Sequence, residues 1–244
     1  APEFLLLNIS QLQKLHPESK TYVFDNDSSP ETLNTITKEL SQYRNITLFS
    51  SRKDYSQTWY SHIIGLQFLL NYAAKEKDQV IVFLDQDCIL MKRVDELASK
   101  LSNKILLVGV RDYVVKPHDY GILKKGLLRR WCEEVHGSFM IMQPKIIHNL
   151  FGDKSFLNGY TFEACHGISR KTKGKILFLE TEMHPEIPLL KRYYLGEETY
   201  AWHTWFSSRA FGMKNKESLN GLPTSWLKET LSKAYSFLIK EVES

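Results

Sequence analysis

Two aspartates one residue apart, Asp85-Gln86-Asp87, close an apolar run that reads QVIVFLD. Carboxylates are costly inside a sheet, so a pair at the end of such a run points to a site rather than to core. In α/β proteins ligands gather at the carboxyl ends of strands. Two acids so spaced in a turn can both face one hard cation. That cation can hold a diphosphate and stabilise it as a leaving group. An ordinary Asp-rich turn is the alternative, and the apolar run ahead of the pair favours the site.

Three further groups could join this chemistry. A second acidic turn, Asp25-Asn26-Asp27-Ser28-Ser29, also ends an apolar run. Asp25 could accept hydrogen bonds from a base or a ribose hydroxyl; an Asx turn leading into a helix cap explains it equally well. His203 lies in YAWHTWFSSR, where a histidine among aromatics is usually packing. It gains a role if it completes a metal site with Asp87, because imidazole and carboxylate together suit Mn²⁺. Arg209 in the same segment could bind phosphate as a bidentate donor, or pair on the surface with Glu197 or Glu198.

The elements that must position these groups alternate. TYVFD at 21–25 reads as a strand, and Ser29-Pro30-Glu31 as a helix start supplying cap, first-turn proline and first-turn acid. That helix is expected to run to about Tyr43. Strands are expected at 46–49, 79–85 and 105–110, with a long buried helix over 57–75 and a short one over 94–101. The run at 79–85 has no polar alternation, as when both faces of a strand are covered. Beyond it, 111–131 reads as a basic loop region with one short helix. A strand at 138–142, a helix at 144–151 and a strand at 175–179 follow. No period emerges from 185 to 221, and 226–242 is an amphipathic helix. Alternating strands and helices imply an α/β layer with a mainly parallel sheet, carrying a C-terminal helical extension. The division is one domain over 1–222 and the helix at 223–244.

Composition narrows the classes without choosing among them. The chain has 244 residues, 43% hydrophobic and 25% charged, which excludes disordered, collagen-like and coiled-coil chains. Its net charge of +4 is too small for a dedicated nucleic-acid binder. The cysteines, Cys88, Cys132 and Cys165, are far apart and odd in number, so a reducing, cytoplasmic setting is expected. The most apolar stretches are strand-sized, so no integral membrane segment is expected. The chain opens Ala1-Pro2-Glu3-Phe4 without Met, which reads as a cloning remnant on a trimmed start.

Taken in order, these segments resemble a GT-A glycosyltransferase, nearest to the family-2-like group. YVFDNDSSPETL is similar to that family's second strand and nucleotide turn, SQTWYSHIIGLQFLLNYA to the following helix, and VIVFLDQDCIL to its DxD segment. HGSFMIMQPKIIHNL resembles the strand and helix that shape the acceptor side, and HTWFSSR the C-terminal His/aromatic/Arg segment. The resemblance covers roughly residues 4–210.

It implies a GT-A sheet, a metal-dependent and inverting sugar transfer, and a Mn²⁺ or Mg²⁺ cofactor. The donor would be a nucleoside-diphosphate sugar, with a UDP-sugar expected, and the acceptor a hydroxyl of a saccharide or glycoconjugate. Position by position, Asp85 and Asp87 become the DxD pair, with Asp85 nearer the ribose and Asp87 on the metal. His203 becomes the third metal ligand, Asp25 and Asp27 nucleotide contacts, and Arg209 a phosphate contact. Glu163, in GYTFEACHGISRKTKGK, becomes the base that deprotonates the acceptor.

The chain also departs from the pattern. Asp27 stands where the family has glycine, and Phe162 leaves its acidic pair half complete, with Cys165 and His166 close by. The family's first strand is either a shifted one at 4–7 or missing. The basic run Arg111, Lys116, Lys124, Lys125, Arg129 and Arg130 could close over a diphosphate or simply be solvated. The main rival is a haloacid-dehalogenase-type phosphatase with Asp85 as nucleophile and Asp87 as acid/base, which leaves His203 unexplained. A non-catalytic nucleotide-sugar-binding module is the other.

Overall fold

The computed structural model describes residues 2–26, 28–51, 60–75, 80–115, 131–144, 146–147, 168, 172, 174–204, 218–219 and 222–243. The chain opens with helix α1 (Pro2–Leu15), which carries Glu3 in its first turn and Lys14 in its last, each suited to the helix dipole. Residues 4–7 are therefore helical, so of the two alternatives for the family's first strand the shifted one at 4–7 does not hold.

Strand β1 (Thr21–Asn26), helix α2 (Pro30–Leu40) and strand β2 (Ile46–Ser51) follow as the residue pattern implies. The Ser29 hydroxyl accepts from the Thr32 backbone N–H at 3.3 Å, and Pro30 occupies the first turn. Helix α3 (Tyr60–Ala73) leads into β3 (Ile81–Leu84), β4 (Cys88–Leu90) and a short α4 (Asp95–Ser99). Then come β5 (Leu107–Val115), β6 (Trp131–Met142), β7 (Ile176–Met183), β8 (Leu190–Leu195) and β9 (Glu198–Thr204). A small antiparallel pair, β10 (Ser218–Leu219) and β11 (Leu222–Pro223), precedes helix α5 (Thr224–Glu243). Among the described residues no helix is long and apolar enough to cross a membrane.

The sheet corrects the mainly parallel expectation. Seven strands pair in the order β3-β6-β5-β7-β8-β9-β4, and only β5/β7 within that order is parallel. β1 and β2 form a separate parallel pair. The fold is therefore mixed α/β. Two long segments read as irregular explain the difference. Arg111–Val115 extends β5, which pairs antiparallel with β6. Residues 185–221 hold the hairpin β8/β9, turned by Gly196 and Glu197 with Gly196 at φ 62°. A positive φ at the first turn residue is the glycine-requiring geometry of a two-residue hairpin. In β8 the buried Leu190 and Tyr193 stand three residues apart, so the strand lacks the alternation that would have announced it.

The sheet order has a consequence for position. β3 and β4 lie at opposite ends of it, yet only Asp85, Gln86 and Asp87 join them. Leu84 and Cys88 are four residues apart, so their Cα atoms are within about 14 Å. The seven strands must therefore curl until their two edges nearly meet, and the acidic turn bridges the gap.

Core packs on both faces of this curl. Leu66 and Leu70 of α3 cover Ile81, Phe83, Met140 and Met142. On the other face Leu90, Leu97, Val108, Phe139, Ile141, Tyr193 and Tyr200 pack together. A third cluster joins Phe4 of α1 and Ile89 of β4 to Leu190, Trp202, Leu227, Leu231 and Leu238. At Gly109, where the β5/β6 register shifts, an added Cβ would run into Val135 Cγ1. Gly109→Ala is expected to cost about 1–3 kcal/mol as an overpacking change, read as a lower urea midpoint.

Candidate metal centre

The curl of the sheet places each functional side chain. Asp85 is held to β6 by its backbone N–H, which donates to the Ser138 carbonyl at 2.9 Å. Asp87 is held to β9, its carbonyl accepting from the Thr204 N–H at 3.1 Å. The antiparallel β4/β9 ladder sets Cys88 opposite His203, one residue beyond Asp87. Helix α1 supports the turn from outside: the buried Asn8 donates through Nδ2 to the Asp85 carbonyl at 3.0 Å and to that of Gln86 at 3.5 Å.

One ligand atom each from Asp85, Asp87 and His203 lies within 4.8 Å of the other two. Asp87 is 6% exposed and His203 3%. His203 Nε2 stands 3.3 Å from Asp87 Oδ1, and the Thr204 hydroxyl donates to Asp87 Oδ2 at 3.4 Å. Behind the imidazole, Tyr193 Oη is 2.6 Å from His203 Nδ1 and 2.8 Å from Ser138 Oγ. Burial, with smaller contributions from Cys88, Asp85 and Asp87, pushes the Tyr193 phenol well above its ordinary range, so it stays an O–H group at neutral pH. The Cys88 thiol is pushed up too, by burial first and then by Asp85 and Asp87.

The donor set fits a divalent cation. Two carboxylate oxygens are hard ligands and an imidazole nitrogen is a borderline one, a mixture suited to Mn²⁺ and acceptable to Mg²⁺. A buried acid beside a half-buried one is itself a costly arrangement that a cation would relieve.

The other expected residues lie elsewhere. Asp25 is the penultimate residue of β1, outside the seven-stranded sheet, and its Oδ2 accepts from the Ser28 N–H at 3.4 Å and the Ser50 hydroxyl at 3.0 Å. These bonds tie Asp25 to the turn ahead of α2 and to the end of β2. Arg111 pairs with Glu180 at 3.1 Å and lies over the Phe178 ring. Glu198 is engaged by Lys92 at 2.7 Å. Asp27, Glu163 and Arg209 lie outside the described residues, as does the basic run from Lys116 to Arg130.

Four residues of the site had no place in the sequence reading: Asn8, Ser138, Tyr193 and Thr204. His136-Gly137-Ser138 just ahead of FMIM was a usable signal, since residues two apart on a strand share a face. Tyr193 carried none, because its partners are 55 and 10 residues away.

No family model matches the chain, and neither does any curated protein. Solved structures do resemble it. An active-site mutant of LgtC is 14% identical with a TM-score of 0.47, covering 72% of this chain and 68% of that one. The apo bifunctional glycosyltransferase WbbM is 12% identical with a TM-score of 0.47; 72% of this chain matches 36% of it. The galactosyltransferase LgtC in complex with donor and acceptor sugar analogues is 12% identical with a TM-score of 0.45, over 72% and 69% of the two chains. These likenesses are too distant to carry a site or an activity across.

Proposed function

We propose that this chain is a metal-dependent glycosyltransferase that moves a sugar from a nucleoside-diphosphate donor to a hydroxyl of a saccharide or glycoconjugate. The observation that carries the reading is the convergence of Asp85, Asp87 and His203, brought from two edges of the sheet into a space that a single cation would span. The phosphatase alternative needs Asp85 and Asp87 but gives His203 nothing to do, whereas here the imidazole stands against Asp87.

In this reading Asp85, Asp87 and His203 hold Mn²⁺ or Mg²⁺, which neutralises the diphosphate as it leaves. Thr204 and Asn8 keep the two acids in place. Glu163 takes the acceptor proton, Arg209 pairs with phosphate, Asp25 and Asp27 approach the nucleotide, and the displacement inverts the sugar carbon. The remaining parts of the proposal are a UDP-sugar donor, a family-2-like lineage, a role in glycan biosynthesis and a cytoplasmic setting. Residues 1–222 form the catalytic unit and 223–244 the C-terminal extension, whose helix α5 packs with Phe4, Ile89, Leu190 and Trp202.

A panel of nucleoside-diphosphate sugars assayed for hydrolysis or transfer, with Mn²⁺ and with chelator, tests this. Turnover of one donor that disappears with chelator is the expected result. Turnover of p-nitrophenyl phosphate and of no nucleotide sugar would hand the site to the phosphatase reading.

A further inference from the structure

The hydrogen bonds behind His203 have a fixed direction. The Ser138 backbone N–H donates to His136 Nδ1 at 3.2 Å, and a backbone N–H cannot do anything but donate. His136 Nδ1 is therefore the lone-pair nitrogen of that ring. Ser138 Oγ lies 2.8 Å from the same atom, and a hydroxyl this close to a lone pair must turn its proton toward it, sharing that lone pair with the backbone N–H. With that proton committed, Ser138 Oγ must accept from the Tyr193 hydroxyl 2.8 Å away. Tyr193 has then used its own proton, so its oxygen accepts from His203 Nδ1 at 2.6 Å. The proton of a neutral His203 thus sits on Nδ1, and Nε2 turns a lone pair toward Asp87 Oδ1 at 3.3 Å. Two lone pairs facing each other in a buried space repel unless a cation lies between them.

We propose that the chain His136–Ser138–Tyr193, anchored on one backbone N–H, fixes the tautomer of His203 and so presents Nε2 as a ligand nitrogen. Ser138 and Tyr193 are fully buried, so water does not compete for the Ser138–Tyr193 and Tyr193–His203 bonds, while the His136 anchor is half-buried. All three are positioning residues: they act on the cation site only through His203. The proposal rests on the metal reading above for its purpose, but not for its hydrogen-bond directions. Metal-ligating histidines usually direct the other ring N–H to an oxygen acceptor, and loss of that partner typically weakens metal binding about 10–100-fold. Here the acceptor is a tyrosine hydroxyl, which is an acceptor only while Ser138 takes its proton.

The test is Ser138→Ala, which keeps Tyr193 against His203 but removes the acceptor of the Tyr193 proton. The tautomer of His203 is read in metal-free protein from histidine ¹⁵N shifts at about pH 8, above the ordinary histidine range. His203 is assigned by its loss in a His203→Gln variant. Wild type should show Nδ1–H. In Ser138→Ala the Tyr193 hydroxyl should turn to His203 Nδ1 and move the ring proton to Nε2, and Mn²⁺ binding should weaken about 10–100-fold. Tyr193→Phe should give a mixture of tautomers and a similar loss. A wild-type His203 that carries its proton on Nε2 overturns the proposal without any variant. So does Ser138→Ala that retains Nδ1–H and binds Mn²⁺ within about twofold of wild type. A wild-type Nδ1–H tautomer in protein that binds no Mn²⁺ supports the hydrogen-bond chain and sinks the metal reading instead.

Discussion

Asp87→Asn should abolish the response of the protein to Mn²⁺ while leaving the metal-free fold at least as stable as wild type. The two halves of this result have one cause. In wild type a cation at about 100 times its dissociation constant adds about 2.7 kcal/mol. For a chain of this length that is a rise of about 5–10 °C in melting temperature. Asparagine offers a neutral oxygen in place of a carboxylate, so the rise should vanish and metal-dependent turnover with it. Without metal the sign reverses. The neutral amide can still accept from the Thr204 hydroxyl through its oxygen, and its N–H can donate to His203 Nε2, where the carboxylate presents only lone pairs. An acid kept merely to build the turn would instead lose stability on this change. Thermal melts of both proteins with Mn²⁺ and with chelator separate the two outcomes.

Leu231→Ala should cost about 2–5 kcal/mol and lower the midpoint of a single unfolding transition. Leu231 is 1% exposed and belongs to the cluster that ties α5 to Phe4 of α1, Ile89 of β4 and Leu190 of β8. Trp202, next to His203, is in the same cluster and meets Phe237 of α5 edge-on at 5.3 Å. A helix built into the core behind the acidic turn loses that much when a buried leucine is truncated. A loosely appended helix would show a separate early transition and leave the main midpoint unchanged. Urea melts followed by far-UV and near-UV signals would tell these apart. The change should also weaken Mn²⁺ binding, because Ile89 and Trp202 carry the strands that set His203 against Asp87.

What the residues announced, and what they hid, follows from how local each feature is. Asp85 and Asp87 are legible because the reason for noticing them, charge ending an apolar run, is contained in neighbouring residues. The start of α2 is legible for the same reason, since Ser29, Pro30 and Thr32 satisfy one another within a turn. His203 was legible only as a conditional partner, because its value depends on the pairing of β4 with β9 across more than a hundred residues. The sheet direction was hidden by β8. There Lys191 and Arg192 interrupt the apolar pattern, and the buried Leu190 and Tyr193 stand three residues apart, which no strand period announces. Helix α1 was hidden by its own buried polar residues. Asn8 and Gln11 lie on its inward face, where an apolar period would otherwise mark a helix. Asn8 is there to hold the Asp85 carbonyl, so the residue that spoils the helical pattern is the one the site requires.

The proposed activity depends on a cation held by Asp85, Asp87 and His203 for the sake of a diphosphate. The most direct measurement is calorimetric titration of UDP into the protein, once with Mn²⁺ and once with chelator. Binding that is present with Mn²⁺ and absent with chelator is the predicted result. UDP that binds equally well in both, or in neither while Mn²⁺ itself leaves the protein's melting temperature unmoved, would contradict it.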